Sequence, residues 1–569
     1  MNRRRTIGAK WLPVAATFAF FAVAGLCCLA IVAAQEAPAA PSDQARAELA
    51  QIGLPRPRIP GREAPRGRVQ FQPSARPDAG VDGAPAKEGP DGVDRAASPS
   101  SAKEQPEQPL FQGWPEPTFA LFLTGNQSGY IEPCGCTGLA NAKGGLARRF
   151  ALLEQIREKG WPVVPLDVGA QVRRFGRQPE IKFQTTVDAL KQMEYAAVGF
   201  GMEDLRLDST ELIAGAATLD PLTPGLFVSA NAYVLDRSLF PEFRVIKAGG
   251  KKIGVTAIVG ASYEKDLTGG ELTFEPPAPA AKRALEALRQ ERCDFYVLLA
   301  HATLEESNAI ARTVPGFDVV LTSGGGGEPE FEPSRVNDGK TWVIQSGVKG
   351  MYVGVVGFFG QGEPKLRYER IALTDRFDDA PEMRRQMAAY QDQLKNAGLE
   401  GLGIEPVPFP DGRRFVGSKA CADCHTTAYS IWENTPHAHA TDSIANPTER
   451  SDIARHFDPE CLSCHVTGWN AQNYYPYLSG YLGLEETPEM KQQGCENCHG
   501  PGAEHVAVES GNKDATEQQI AEIRRAMQLP LASAKQKCLE CHDLDNSPDF
   551  HQEGAFEEYW KQIEHKGKD

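Results

Sequence analysis

Four pentads in the last third of the chain fix its reading: Cys421-Ala422-Asp423-Cys424-His425, Cys461-Leu462-Ser463-Cys464-His465, Cys495-Glu496-Asn497-Cys498-His499 and Cys538-Leu539-Glu540-Cys541-His542. Two thiols three positions apart can each add to a vinyl group of one haem, and the adjacent histidine then reaches the iron as its proximal ligand. Two zinc-ribbon pairs would use the same cysteines. A Cys₄ zinc site has no need of a histidine directly after every pair, and here all four pairs carry one. The spacing therefore predicts four covalently attached haems c, with Cys421, Cys424, Cys461, Cys464, Cys495, Cys498, Cys538 and Cys541 as attachment points and His425, His465, His499 and His542 as proximal ligands.

The remaining histidines extend this reading. The chain has 11. Apart from the proximal four they are His301, His437, His439, His456, His505, His551 and His565, and only His301 lies outside the haem segment. That concentration fits a second imidazole on the far side of each iron, an arrangement suited to rapid electron transfer. An iron without one could bind a small molecule.

Upstream, the 569 residues leave room for two or three domains. The net charge of -15 argues against nucleic acid as a partner. Of 13 cysteines, eight are in the pentads, so a disulfide scaffold is not their main use. Residues 1–34 carry Arg3-Arg4-Arg5 and then an apolar run, which reads as an export signal or as an uncleaved anchor in the cytoplasmic membrane. The rest of the chain is then periplasmic or extracytoplasmic. Residues 35–114, rich in Pro, Ala, Gly and charge, read as a disordered tether. Between 115 and 374, short apolar strands such as Phe119-Ala-Leu-Phe-Leu123, Ile253 to Val259 and Phe295 to Leu299 alternate with helical segments. This predicts an α/β domain with a buried sheet. Residues 375–412 read as a connecting helix and a hinge, and 413–569 as a mostly helical, loop-rich haem domain.

The haem segment resembles the cytochrome c-554 family. The resemblance rests on Phe415 to Cys421, Tyr429-Ser-Ile-Trp432, His437-Ala-His-Ala440, Pro459 to Gly468, Cys495 to Gly502 followed by His505, and the end segment up to His565. It implies His437, His505 and His565 as distal ligands. The fourth is left to His439, His456 or His551, or to an iron with five ligands.

The stretch from Phe119 to Ile371 resembles the metallophosphoesterase domain of the 5′-nucleotidase family, of the UshA and SoxB type. Its segments run in order from Leu121 to Gly129, through Asp167-Val-Gly-Ala170, Val198 to Glu203 and Leu299 to Glu306, to Pro315 to Gly327. The resemblance implies an α/β/β/α sandwich. That family holds two metal ions, but the ligand positions here are Asn126, Ser128, Ala170, Phe200-Gly201, Gly324 and Gly326, with His301 alone retained. One imidazole cannot hold a dinuclear centre, so the fold is expected without the hydrolase. In the loop after the first strand, Cys134 and Cys136 form a candidate thiol-redox pair or soft-metal site, against a disulfide to Cys293 or two inert thiols. Gly324 to Gly327 reads as an anion loop or a flexible turn.

Three functions follow as expectations. One is electron relay through four haems to a redox partner protein, with the α/β domain docking the partner or exchanging electrons through its thiols. Another is redox chemistry on a small nitrogen or sulfur compound at an open haem. The last is residual phosphoester hydrolysis.

Overall fold

The structure, a computed structural model, describes residues 109–133, 142–217, 225–267, 270–360, 364–447 and 452–567. The export segment, nearly all of the tether and the Cys134/Cys136 pair lie outside the described residues. Among the described residues, no helix is long and apolar enough to cross a membrane.

Fifteen strands and fourteen α-helices carry the described residues. In the first part they are β1 (Phe119–Thr124), α1 (Leu146–Glu158), β2 (Val163–Asp167), α2 (Arg177–Gln192), β3 (Ala197–Val198), α3 (Ser209–Ala216), β4 (Ala232–Val234), β5 (Phe243–Ala248), β6 (Lys251–Val259), β7 (Leu272–Phe274), α4 (Pro277–Gln290), β8 (Phe295–His301), α5 (Leu304–Thr313), β9 (Val319–Thr322), β10 (Ser334–Val336), β11 (Thr341–Gln345), β12 (Tyr352–Phe358), β13 (Leu366–Ala372) and α6 (Pro381–Gly401). One sheet runs β13-β12-β1-β2-β3, parallel through β1, β2 and β3 and antiparallel at β12 and β13. The other runs β10-β11-β9-β8-β6-β5, parallel from β11 to β6 with antiparallel edges.

The period-2 alternation of the strands builds the layers. Phe119, Leu121 and Leu123 of β1 point between the sheets, where they meet Phe295, Val297 and Leu299 of β8. Their neighbour Phe122 points the other way, under α1, α2 and α6, with Leu152, Phe183, Val187 and Leu394. Leu298 and Ala300 of β8 face Ala284 and Leu285 of α4 and Ile310 of α5. Alternate residues serving opposite cores require strands buried on both faces, hence the near-continuous apolar runs. Each such Phe or Leu contributes roughly 1.5–3 kcal/mol of burial. The product is an α/β/β/α sandwich.

The helix expected from Asp375 starts instead at Pro381, which supplies the first helical position. Met383, Met387, Tyr390 and Leu394 sit in the same core as α1 and α2, so this helix is a structural layer of the sandwich. It is broken near its end at Gly398, whose φ of 59° suits glycine.

The last part is made of short pieces: α7 (Thr426–Glu433), α8 (Ala440–Ala445), α9 (Pro459–His465), β14 (Trp469–Asn470), β15 (Tyr475–Pro476), α10 (Cys495–His499), α11 (Ala503–Glu509), α12 (Glu517–Ala526), α13 (Leu531–Cys538) and α14 (Ala555–Lys561). Its apolar clusters are small, one around Phe415, Trp469, Tyr477 and Tyr481 and another around Phe550 and Phe556. Three of its helices, α7, α11 and α12, have no fully buried residue.

Candidate functional site

Each pentad folds on a single helical turn, because residues three apart share a helix face. The His425 amide donates to Cys421 O at 3.0 Å and the His542 amide to Cys538 O at 2.9 Å. Asp458 caps α9, accepting from the Glu460 amide at 3.0 Å, with Pro459 in the first turn. Gly500, at φ 79°, ends α10 directly after His499.

Three of the imidazole rings that end the pentads are oriented by their second nitrogens. His465 Nδ1 lies 2.7 Å from Ala440 O, and His499 Nδ1 lies 2.8 Å from Met527 O. His542 Nδ1 is 3.1 Å from Ser547 Oγ. A carbonyl can only accept, so at His465 and His499 Nδ1 carries the proton and Nε2 keeps its lone pair. Burial pushes His465, His499 and His542 below the usual imidazole range. Neutral imidazole is the ligating form.

Three of the proximal rings have a second imidazole opposite. His425 and His505 lie 6.2 Å apart between ring centroids, His542 and His437 6.1 Å, and His499 and His565 5.7 Å. Metal–nitrogen bonds of about 2 Å on each side place two such centroids roughly 6 Å apart, so the pairs fit an iron between them. Burial, then the neighbouring His542 and His465, hold His437 down at about 4. His505 is also held below its usual range, chiefly by burial.

His465 is different. Among the described residues no imidazole ring stacks opposite it. It lines a cavity of about 1040 Å³ together with Cys461, Cys464, Cys541, His437, His439 and His542. Of the three histidines left open by sequence, His439 is exposed on this cavity wall. His456 packs 3.8 Å from the Phe457 ring, and His551 Nε2 is 2.9 Å from His542 O.

The thiols report how the pentads neighbour one another. Cys421 is a close neighbour of Cys495, and Cys464 of Cys541. Cys498 is an electrostatic neighbour of Cys538. The first pentad thus adjoins the third, the third the fourth, and the fourth the second. Glu496, inside the third pentad and buried, accepts from the Gly417 amide at 2.7 Å, the Gly502 amide at 2.7 Å and the Val416 amide at 3.0 Å.

At the C-terminal ends of the α/β strands, most of the positions where the resembled family has metal ligands are engaged in other contacts. Asn126 Nδ2 donates to Gly347 O at 2.7 Å and to Ser323 O at 2.9 Å, cross-linking three loops. The loop after β1 continues to pair with the loop after β2, through Asn126 N to Gly169 O and Ser128 N to Ala170 O. Phe200 stacks on Phe227 at 4.7 Å. A Cβ on Gly324 would meet the Leu304 backbone nitrogen at 2.1 Å, so no ligand side chain fits there. Gly326 has open space around it.

Beneath, Asp167 forms a buried ion pair with Arg149 at 3.6 Å and accepts from Thr124 Oγ1 at 2.5 Å. His301 is buried and stacks on Tyr263 at 4.8 Å; burial alone lowers it to about 4. Among the described residues, no three His, Cys, Asp or Glu side chains converge in a way that could hold a metal ion. Cys293 is a buried free thiol packed against Gly254.

The sandwich and the pentads meet along a seam that sequence alone did not reveal. Arg455 grips Glu132 through Nε and Nη2, at 2.8 and 2.6 Å. Gln178 of α2 and Gln391 of α6 donate to Asp458 at 2.6 and 3.1 Å. Lys182 and Arg174 reach Glu460 at 2.6 and 3.0 Å. The cavity beside His465 is walled on one side by Gly129 to Pro133. The chain runs from Pro133 directly into the Cys134/Cys136 segment, which lies outside the described residues.

Residues 420–500 match the family model "Cytochrome c554 and c-prime". Cytochrome c-554 of Nitrosomonas europaea is 28% identical over 152 residues, 24% of this chain and 60% of that protein. The 5′-nucleotidase of Diplobatis ommata is 27% identical over 292 residues, 46% of this chain and 48% of that one. The chain therefore spans about half to three fifths of the length of these curated relatives. Among solved structures, the 5′-nucleotidase precursor of Thermus thermophilus aligns with a TM-score of 0.43 at 19% identity, covering 57% of this chain and 66% of that one. SoxB of the same species gives 0.42 at 16%, covering 52% and 63%. The C-terminal module thus resembles the cytochrome c-554 family, and the middle region the 5′-nucleotidases.

Proposed function

We propose that this chain is an exported tetrahaem c-type cytochrome that relays electrons, with the α/β sandwich as a docking or thiol-redox module at one end of the relay. The observation that carries the reading is the set of three facing imidazole pairs at 5.7–6.2 Å. Each haem supplies a one-electron carrier when bound. The chain's own residues set the spacing and order of the carriers. The thiol neighbours give the sequence first, third, fourth, second pentad. The first pentad, at the other end of that order, is the place for a redox partner protein. The second pentad lies against the sandwich, whose role is to meet a further partner or to pass electrons through Cys134 and Cys136. The basic and apolar residues of 1–34 support a periplasmic location, with the membrane reached through that segment if it is retained.

A second reading is favoured by one observation. His465 has an anchored Nδ1 and no facing imidazole among the described residues. An iron held there on one side would suit redox chemistry on a small nitrogen or sulfur compound. Phosphoester hydrolysis lacks ligands at Asn126, Ala170 and Gly324.

Pyridine haemochrome quantitation with low-temperature EPR tests both readings. Four haems per chain, three low-spin and one high-spin, is the expected result. Four low-spin signals would leave the relay and remove the open-iron reading. Fewer than four haems would sink the tetrahaem assignment. Cys421→Ala with Cys424→Ala should lose one haem while the sandwich still folds.

A further inference from the structure

Next to the large cavity, on the sandwich side of the seam, is a smaller cavity of about 60 Å³. The geometry points to it as a binding site for a small oxyanion of the nitrite, sulfite or sulfate class, seated between the sandwich and the second pentad. This goes beyond the relay reading and does not need any haem to be redox-active.

The first ground is charge. The lining carries three cations, Arg173, Arg174 and Lys182, and a single carboxylate, Glu460. Glu460 is shared by Lys182 at 2.6 Å and Arg174 at 3.0 Å, so one negative charge answers two positive ones. Arg173 pairs outward with Asp545, which also takes Lys349 at 3.1 Å. The four cations meet these two carboxylates and the buried Asp458, which also neighbours Lys182. A local positive excess inside a chain of net charge -15 focuses anions toward this point.

The second ground is the supply of directional donors. Lys182 is only 10% exposed in its side chain, so its charge acts in a partly water-excluded setting. The hydroxyls of Ser128, Tyr130 and Tyr474 share the lining. Arg174 lies over the Tyr474 ring at 3.7 Å, which fixes the guanidinium. A planar guanidinium beside an ammonium is the donor set that recognises oxyanions by paired hydrogen bonds.

The third ground is size and place. A cavity of about 60 Å³ admits an anion of a few heavy atoms and excludes a nucleotide. Glu460 immediately precedes Cys461, so a bound anion would sit beside the attachment edge of the second haem. Negative charge there stabilises the oxidised, more positive iron and lowers its midpoint potential.

Isothermal titration calorimetry on the full-length holoprotein, with sodium sulfate, sulfite and nitrite in low-salt buffer and chloride as the control, reads the site directly. The expected result is one site per chain for at least one oxyanion. Lys182→Gln and Arg174→Gln should each weaken binding about tenfold or more, the loss of one charge-assisted hydrogen bond. Haem content and the Soret spectrum check that these variants fold. In a spectroelectrochemical titration, saturating oxyanion should lower the potential of one haem of four in the wild type and in neither variant. Heats equal to those of chloride for all three anions in the wild type would overturn the site. So would binding that survives both substitutions undiminished. Neither outcome touches the haem count or spin states on which the relay reading stands.

Discussion

Arg455 and Glu132 are joined by two hydrogen bonds of 2.6 and 2.8 Å across 323 positions of sequence. The guanidinium belongs to the pentad region and the carboxylate to the loop that follows β1. A planar fork matched to a carboxylate fixes both distance and orientation. With side chains 9% and 22% exposed, the pair is sheltered from solvent. Arg455→Ala should therefore cost about 1–3 kcal/mol, mostly from the carboxylate left partly buried. Urea unfolding of the holoprotein measures this, and limited proteolysis should show earlier cleavage between the two halves. A variant as stable as the parent and cut no faster would show that the pair does not hold the seam.

His505 faces His425 at 6.2 Å. His505→Ala leaves the covalent attachment at Cys421 and Cys424 untouched. The expected result is an unchanged haem count with one low-spin EPR signal converted to high-spin. An unaltered EPR spectrum would remove His505 from the ligand set.

Glu496 collects amides from Val416, Gly417 and Gly502 inside the protein. Glu496→Ala leaves those donors without a partner, at about 1–3 kcal/mol each. Since they flank the first and third pentads, incorporation should fall toward two haems per chain. Glu496→Gln keeps an acceptor oxygen and should retain more haem. Full loading in Glu496→Ala, counted by pyridine haemochrome, would contradict this staple.

His301 contributes to acid sensitivity. Burial lowers its folded pKa from 6.5 to about 4, while the unfolded chain titrates near 6.5. The unfolded state therefore binds the proton more readily. The stability associated with neutral His301 is complete above pH 6.5 and is lost as pH falls toward 4. The ceiling is roughly 3 kcal/mol. His301→Phe keeps a ring against Tyr263 and should flatten the difference in stability between about pH 7 and pH 4.5. Parallel pH curves for the two proteins would count against it.

Legibility followed range. The pentads stand out in the sequence because the attachment chemistry they would serve is local, complete within five residues. The strands could be read because burial on both faces makes short apolar runs, as in Phe119 to Leu123. The facing rings were harder: His505 lies 80 positions beyond His425, and only the resemblance singled it out among its neighbours. The seam was illegible. Lys182 and Glu460 are ordinary charged residues in sequence, and only folding across 278 positions makes them partners. Likewise nothing local in α6 told a packed layer from a free connector.

The cap of α9 has one more implication, for how the protein is made and inherited. Asp458 is buried, and Gln178, Tyr390 and Gln391 of the sandwich meet its oxygens. The ribosome delivers those three first, so a folded sandwich can be waiting when the second pentad emerges. A truncated descendant lacking the sandwich would inherit a carboxylate with its companions gone. The second pentad therefore depends for its capped turn on side chains that the sandwich alone supplies.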